Sequence, residues 1–262
     1  MGKLSDALER QQNEREIKAK MLQPLSRIKK PVSITQNSFD PRLVVCSTPG
    51  SVEAENFKIL KGQILFSKEG KTPKTILVTS ALPNEGKTFT ASNLAASLAQ
   101  GIDEHALLVD CDFRRPSLHK MFGYSNREGL QEFLTGKKEL SDLLIRTKVD
   151  KLSLLTAGTS PSNPSEMLSS SMVNELFEEL KARYHDRYIV IDTAPSHGMS
   201  EVNILANYVD AVIFVVRHGR APREIVKKCI EKIGKDKVLG IVYNGHDQTN
   251  KTYDKYYKKY YQ

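Results

Sequence analysis

Thr75-Ile-Leu-Val-Thr-Ser80-Ala-Leu-Pro-Asn-Glu-Gly86-Lys87-Thr88 joins a short β-branched run to a turn ending in Gly-Lys-Thr, and a helical pattern follows from about Thr88 to Gln100. The first N–H groups of a helix have no internal partner and point at whatever anion lies before them. A strand that feeds such a turn therefore builds a phosphate cradle. In it Gly86 lets the backbone approach, Lys87 reaches the β and γ phosphates, and the Thr88 hydroxyl ligates Mg²⁺. Pro83, Asn84, Glu85 and Phe89 complete the nucleotide-contacting stretch. Ala81 stands where such loops usually carry their first glycine, and Asn84 where another is common, so the strand and helix on either side carry much of the reading.

Outward from the loop, short apolar runs alternate with helical patterns. Ala106–Asp110, Leu152–Leu155, Tyr188–Asp192, Ala211–Val216 and Leu239–Tyr243 read as strands; Met172–Arg183 and Pro222–Ile233 read as helices between them. Continuous apolar runs indicate strands buried on both faces, so the pattern predicts one α/β domain with a parallel twisted sheet flanked by helices. A further helix over Val52–Phe66 caps it. The body spans 46–246. Before it, residues 1–45 read as a largely solvated helix over 4–22 and a proline-bearing linker. After it, 247–262 form a flexible tail.

Two strand ends carry acids: Asp110 and Asp112 in Leu107-Leu-Val-Asp-Cys-Asp112, and Asp192 in Tyr188-Ile-Val-Ile-Asp192. Ligands bind at the carboxyl edge of open α/β sheets. Three carboxylates beside a polyphosphate make chemical sense with Mg²⁺ between them, to hold the metal and to accept a hydroxyl proton. Thr88, Asp110, Asp112 and Asp192 are the expected metal set; Lys87, Asp110 and Asp112 are the expected catalytic residues, with either aspartate open as the base.

Composition narrows the function classes. With 39% apolar and 27% charged residues in 262, the chain has the balance of a folded soluble protein, and no apolar run approaches the ~18 residues that cross a bilayer. Three scattered cysteines give neither a disulfide framework nor a metal spacing. A cytoplasmic setting is expected. The net charge of +8 divides unevenly: residues 1–32 carry +4 and 251–262 carry +3, which leaves +1 for everything between. A nearly neutral body offers no extended face for nucleic acid, and none is expected as a partner. Five of the ten tyrosines, Tyr253, Tyr256, Tyr257, Tyr260 and Tyr261, crowd the end. With so little apolar material beside them they cannot be a core.

The phosphate loop Pro83–Thr88, the Val109-Asp-Cys-Asp-Phe-Arg114 motif, the segment Ala157-Gly-Thr-Ser-Pro-Ser-Asn-Pro-Ser-Glu-Met-Leu168, the Asp192-Thr-Ala-Pro195 strand end and the tyrosine tail together resemble the bacterial tyrosine kinase (BY-kinase) family. That family lies within the MinD/ParA-like group of phosphate-loop ATPases. The resemblance implies an ATP- and Mg²⁺-dependent autokinase of exopolysaccharide or capsule production, whose tail tyrosines are phosphorylated by a neighbouring subunit. It implies that Asn244 contacts adenine, although its position equally suits a strand-end turn, and that Arg217 is a second candidate for that pocket. Glu55, Lys58 and Lys61 match the spacing of the family's Glu-x-x-Arg-x-x-Arg helix, which assembles a ring. Lysine at both arginine positions removes the bidentate carboxylate contact. Ala194 and Glu201 depart from the family's usual proline and aspartate. The family also implies a separate membrane chain-length (co-polymerase) protein as activator, and hence a place at the inner face of the cell membrane through that partner. The rival reading is a ParA/MinD-like positioning ATPase without kinase activity. A membrane-targeting version of it calls for an amphipathic C-terminal helix, and a tail of Tyr and Lys does not supply one.

Overall fold

The computed structural model describes residues 39–66, 72–183 and 187–246, so the expected N-terminal helix and linker up to residue 38 and the tyrosine tail lie outside the described residues. Seven strands are described: β1 (Thr75–Ser80), β2 (His105–Asp110), β3 (Ile145–Arg146), β4 (Leu152–Leu155), β5 (Arg187–Asp192), β6 (Ala211–Arg217) and β7 (Val238–Asn244). The helices are α1 (Val44–Ser47), α2 (Val52–Leu65), α3 (Lys87–Ala99), α4 (Leu118–Phe122), α5 (Leu130–Leu134), α6 (Leu140–Leu143), α7 (Pro164–Leu168), α8 (Ser171–Arg183), α9 (Glu201–Ala206) and α10 (Arg223–Ile233).

The strands form one sheet in the order β3-β4-β2-β5-β1-β6-β7. Every pairing is parallel except β3 with β4. The parallel sheet flanked by helices is as expected, with one antiparallel edge strand added. Two residues, Ile145 and Arg146, are too few to leave a periodic trace in sequence, and the chain turns straight back into β4 without room for a crossover helix.

The sheet separates two apolar layers. Leu107, Val109, Ile189 and Phe214 point to the side that holds Phe177 of α8, Leu205 of α9 and Cys229 of α10. Ile76, Val78, Leu108 and Val190 point to the other, toward Leu94 and Leu98 of α3 and Phe57 of α2. β1 and β5 are buried along their whole length, as their unbroken apolar runs require. On α3, Ala91, Leu94, Ala95 and Leu98 are fully buried, and the alanines let the helix sit close on the strands.

Leu43 and Val45, which precede residue 46, are buried in the second layer. Asn93 of α3 holds them there: its Oδ1 accepts the Val45 N–H at 3.1 Å, and its Nδ2 donates to the Arg42 and Phe89 carbonyls at 2.9 Å each. Cys46, Cys111 and Cys229 are free thiols, as the cysteine count suggested. Replacing Asn93 by alanine strands two backbone groups in the interior, a loss of about 2 kcal/mol that lowers Tm by about 4–8 °C for a domain of this size. A Tm unchanged within about 1 °C would refute the clamp.

Candidate functional site

β1 ends at Ser80 and α3 begins at Lys87, so the loop between them lies at the carboxyl edge of the sheet. Asn84 takes φ +62° and Gly86 φ +100°. Asparagine is one of the few side-chain-bearing residues that adopt the left-handed region readily, which explains how it stands where glycine is common. Glu85 is fully buried beneath the loop. Its carboxylate accepts the Leu82 N–H at 2.6 Å and the Arg217 N–H at 3.4 Å, which ties the loop to the end of β6. The Arg217 guanidinium donates to the Asn84 carbonyl at 3.3 Å. Asn244, at the end of β7, donates from Nδ2 to the Glu85 carbonyl at 2.8 Å. Two residues expected at an adenine pocket, Asn244 and Arg217, therefore brace the phosphate loop from the neighbouring strands.

Lys87 opens α3 and is only 7% exposed. The Thr88 hydroxyl donates to Asp192 Oδ2 at 2.6 Å and accepts from the Ser117 hydroxyl at 3.1 Å. Phe89 was expected at the nucleotide. Its ring instead meets Phe57 of α2 edge-on at 5.5 Å, because the next position along α3 faces the second apolar layer. Its side chain packs and does not line the loop. Pro83 and Asn84 sit exposed at the loop's tip.

β2 and β5 pair so that Asp110 lies directly opposite Asp192. Both are fully buried. Burial, and then the charge of Asp192, push the Asp110 carboxyl well above the usual carboxylate range. Burial pushes Asp192 up to about 7, although the Thr88 hydroxyl and the Lys87 ammonium both favour its ionised form. Asp110 is also fixed by the backbone, accepting the N–H groups of Asp112 on Oδ1 (3.1 Å) and of Ser117 and Leu118 on Oδ2 (3.1 and 3.2 Å). Asp112 accepts the Arg115 N–H on Oδ1 at 3.0 Å.

Among the described residues, no three acidic, imidazole or thiol side chains are grouped closely enough to hold an ion unaided. The expected three carboxylates thus do not form a closed cage, and Asp110 is held by the loop that follows β2. Mg²⁺ does not need one: it keeps waters and takes one or two carboxylates plus phosphate oxygens. The buried Asp192 Oδ1 has no hydrogen-bond partner among the described residues, and the Thr88 hydroxyl lies against the other oxygen of the same carboxylate. That donor set suits a hard divalent cation beside a phosphate.

Around this centre the remaining motifs serve as supports. Arg114 closes on Glu201 Oε1 through Nε and Nη2 at 2.9 and 2.8 Å. Burial alone would raise the Glu201 carboxyl, but its hydrogen bonds and the Arg114 charge hold it below the usual value. Glutamate at this position is thus paired with Arg114. The segment after β4 is anchored where Glu132 accepts the Gly129 N–H and the Thr159 hydroxyl, both at 2.7 Å, and where Asn126 exchanges two hydrogen bonds with Gly158. On α2, Glu55 and Lys58 pair with each other at 2.8 Å, the spacing of one helical turn, and Lys61 is half-buried. Ser117 and the bracing role of Glu85 left no motif to find; only their position beside the loop identifies them.

A Cβ at Gly86 would lie 2.1 Å from Asn244 Nδ2 at a φ that L-residues rarely adopt. Gly86→Ala should weaken ADP binding by at least about tenfold in calorimetry. Undiminished affinity would show that this turn does not hold the phosphates.

The AAA domain family model matches residues 74–237. The tyrosine-protein kinase YwqD of Bacillus subtilis is 33% identical over 205 residues, spanning 78% of this chain and 85% of its own length. The crystal structure of the chimerical protein CapA2B2 superposes with a TM-score of 0.72 at 31% identity, covering 83% of this chain and 95% of that one. The septum site-determining protein MinD of Pyrococcus horikoshii, solved with Mg-ADP, shares the fold at a TM-score of 0.54 and 20% identity, over 65% of this chain and 68% of its own. A relative matched at this identity over most of both lengths, with the phosphate loop and strand-end acids in place, settles the kinship: the chain belongs to the bacterial tyrosine kinase family.

Proposed function

We propose that this chain is an ATP- and Mg²⁺-dependent protein tyrosine autokinase whose acceptors are Tyr253, Tyr256, Tyr257, Tyr260 and Tyr261, presented by one subunit to the site of its neighbour. The observation that carries the reading is the convergence of Lys87, Thr88 and Asp192 at one sheet edge, with the Asp110/Asp112 pair beside them, in a chain whose relative YwqD is named a tyrosine-protein kinase. Lys87 and the loop N–H groups bind and orient the phosphates. The Asp110/Asp112 pair takes the proton from the attacking tyrosine hydroxyl. The tyrosine oxygen bonds to the γ-phosphorus, the bond from that phosphorus to the β–γ bridging oxygen breaks, and ADP leaves. Thr88 and Asp192 would hold Mg²⁺, which when bound would neutralise phosphate charge. Catalysis of this kind is positioning and electrostatics, in a site whose acids are already withdrawn from water.

The same reading places the chain in exopolysaccharide or capsule polymerisation or export, at the inner face of the cell membrane. There a separate chain-length protein activates it, and subunits form a ring through α2. A chimera named CapA2B2 among the similar structures supports a partner of that kind. The Glu55–Lys58 pair within α2 uses charges that a ring contact needs, so Lys61 is left as the main charged contact from that helix.

The test incubates the chain with ATP, Mg²⁺ and the cytoplasmic segment of its cognate chain-length protein, then maps phosphate by mass spectrometry. Phosphate on the five tail tyrosines, and its loss with Lys87→Met, is the expected result. ATP hydrolysis with an unmodified tail would overturn the kinase reading. For the ring, Lys61→Glu should lower the mass seen by light scattering, and an unchanged mass would reject the α2 contact.

A further inference from the structure

Residues 217–237 hold eight Lys or Arg against three Asp or Glu, a surplus of +5, whereas the whole of 33–250 carries only +1. The near-neutral body therefore has one strongly basic region, and it lies on α10 and the turns at its two ends. α10 buries Cys229 and Ile233 and leaves Arg223, Lys227, Lys228 and Lys232 exposed; Arg220, in the turn before it, is exposed as well. Within this region Lys235 meets Glu231 at 3.8 Å and Lys237 donates to the Val209 carbonyl. Arg220, Arg223 and Lys227 have no ion-pair partner among the described residues.

On the same side of the sheet, the edge strand β7 exposes apolar side chains. Ile241 and Tyr243 are each 56% exposed. They pair with Phe214 and Val216, which pack in the layer that holds Cys229 and Ile233 of α10, so both look out on the α10 side beyond the helix. A basic helix beside an apolar strip calls for a ligand that is both aromatic and strongly anionic.

The chain itself supplies one. Residues 247–262 follow two residues after the end of β7, and 251–262 carry five tyrosines and a charge of +3. Unmodified, that tail carries the same sign of charge as α10. Each tyrosine phosphate adds about −1.5 to −2, so five phosphates turn +3 into about −5 to −7. Sixteen residues reach up to ~50 Å, far more than the ~16 Å length of α10, and so short a tether gives an effective concentration in the millimolar range. We propose that the phosphorylated tail docks on its own subunit, with phosphates on Arg220, Arg223 and Lys227 and tyrosine rings on Ile241 and Tyr243. Arginine forks suit phosphate oxygens bidentately. Phosphorylation then converts the tail from a substrate of the neighbouring subunit into a ligand of its own, which removes the link between subunits.

The inference rests on the tyrosine-kinase reading, and a synthetic ligand separates the two. The full chain carrying Lys87→Met, which keeps its own tail unmodified, is titrated with a fluorescent peptide of residues 247–262 bearing five phosphotyrosines or five tyrosines. The phosphopeptide should bind at least about tenfold more tightly than the unmodified one, and Arg220→Ser/Arg223→Ser/Lys227→Ser or Ile241→Ser should each cost about tenfold. Equal binding of both peptides, or undiminished binding by the triple variant, would overturn the proposal. So would a triple variant that keeps the phosphopeptide but loses binding to phosphatidylglycerol vesicles, because the face would then belong to the membrane. Failure of the enzyme to phosphorylate its tail would count against the kinase reading alone.

Discussion

The register of β2 against β5 sets Asp110 opposite Asp192, and the rest of the site is arranged around the cost of that juxtaposition. Two buried carboxylates in adjacent strands cannot both ionise without help. Help comes from three directions: backbone N–H groups from the loop after β2 reach Asp110, and the Thr88 hydroxyl and the Lys87 ammonium favour the charged form of Asp192. All three come from chain that follows immediately on a strand end, so the parallel sheet creates the problem and supplies the partial remedy. What is left over, an Asp192 oxygen with no hydrogen-bond partner among the described residues beside the Gly-Lys-Thr loop, is a donor that suits a divalent cation.

The loop is held from the opposite flank. Glu85 accepts the backbone N–H of Leu82 within the turn and of Arg217 at the end of β6, and Asn244 fills the space where Gly86 has no side chain. β6 and β7 thus fix the loop's shape as well as extending the sheet. Asn244 links the β7 edge to the loop, within the same strand whose exposed side chains lie beside the basic helix.

Much of this was legible before any coordinates. The apolar runs of β1, β5 and β6 read as doubly buried strands because they are, and Gly86-Lys87-Thr88 after a strand has few other uses. Side-chain direction within a helix start was harder: Phe89 looked like part of the nucleotide loop, yet helical periodicity turns it toward Phe57. The acid at position 110 was legible from its place at a strand end, but the three backbone N–H groups that it accepts left no trace in sequence. Asn93 gave no signal, since one buried amide that clamps Arg42 and Val45 looks in sequence like any polar residue on a helix. The antiparallel β3 was too short to be periodic. Glu201, a departure from the expected residue, is bonded to Arg114, a pairing that sequence did not show.

The most direct test of the strand-end electrostatics is a carboxyl ¹³C NMR titration of the metal-free protein, with Asp192→Asn used to assign the signal. Between about pH 4, where an unperturbed aspartate loses its proton, and pH 7, the folded chain retains a proton that the unfolded chain releases. Asp192 should titrate near 7 and move down by at least about one unit when Mg²⁺ and ADP are added, since the cation favours the ionised form. An Asp192 signal that titrates near 4 in the metal-free protein, and does not respond to Mg²⁺ and ADP, would contradict the account.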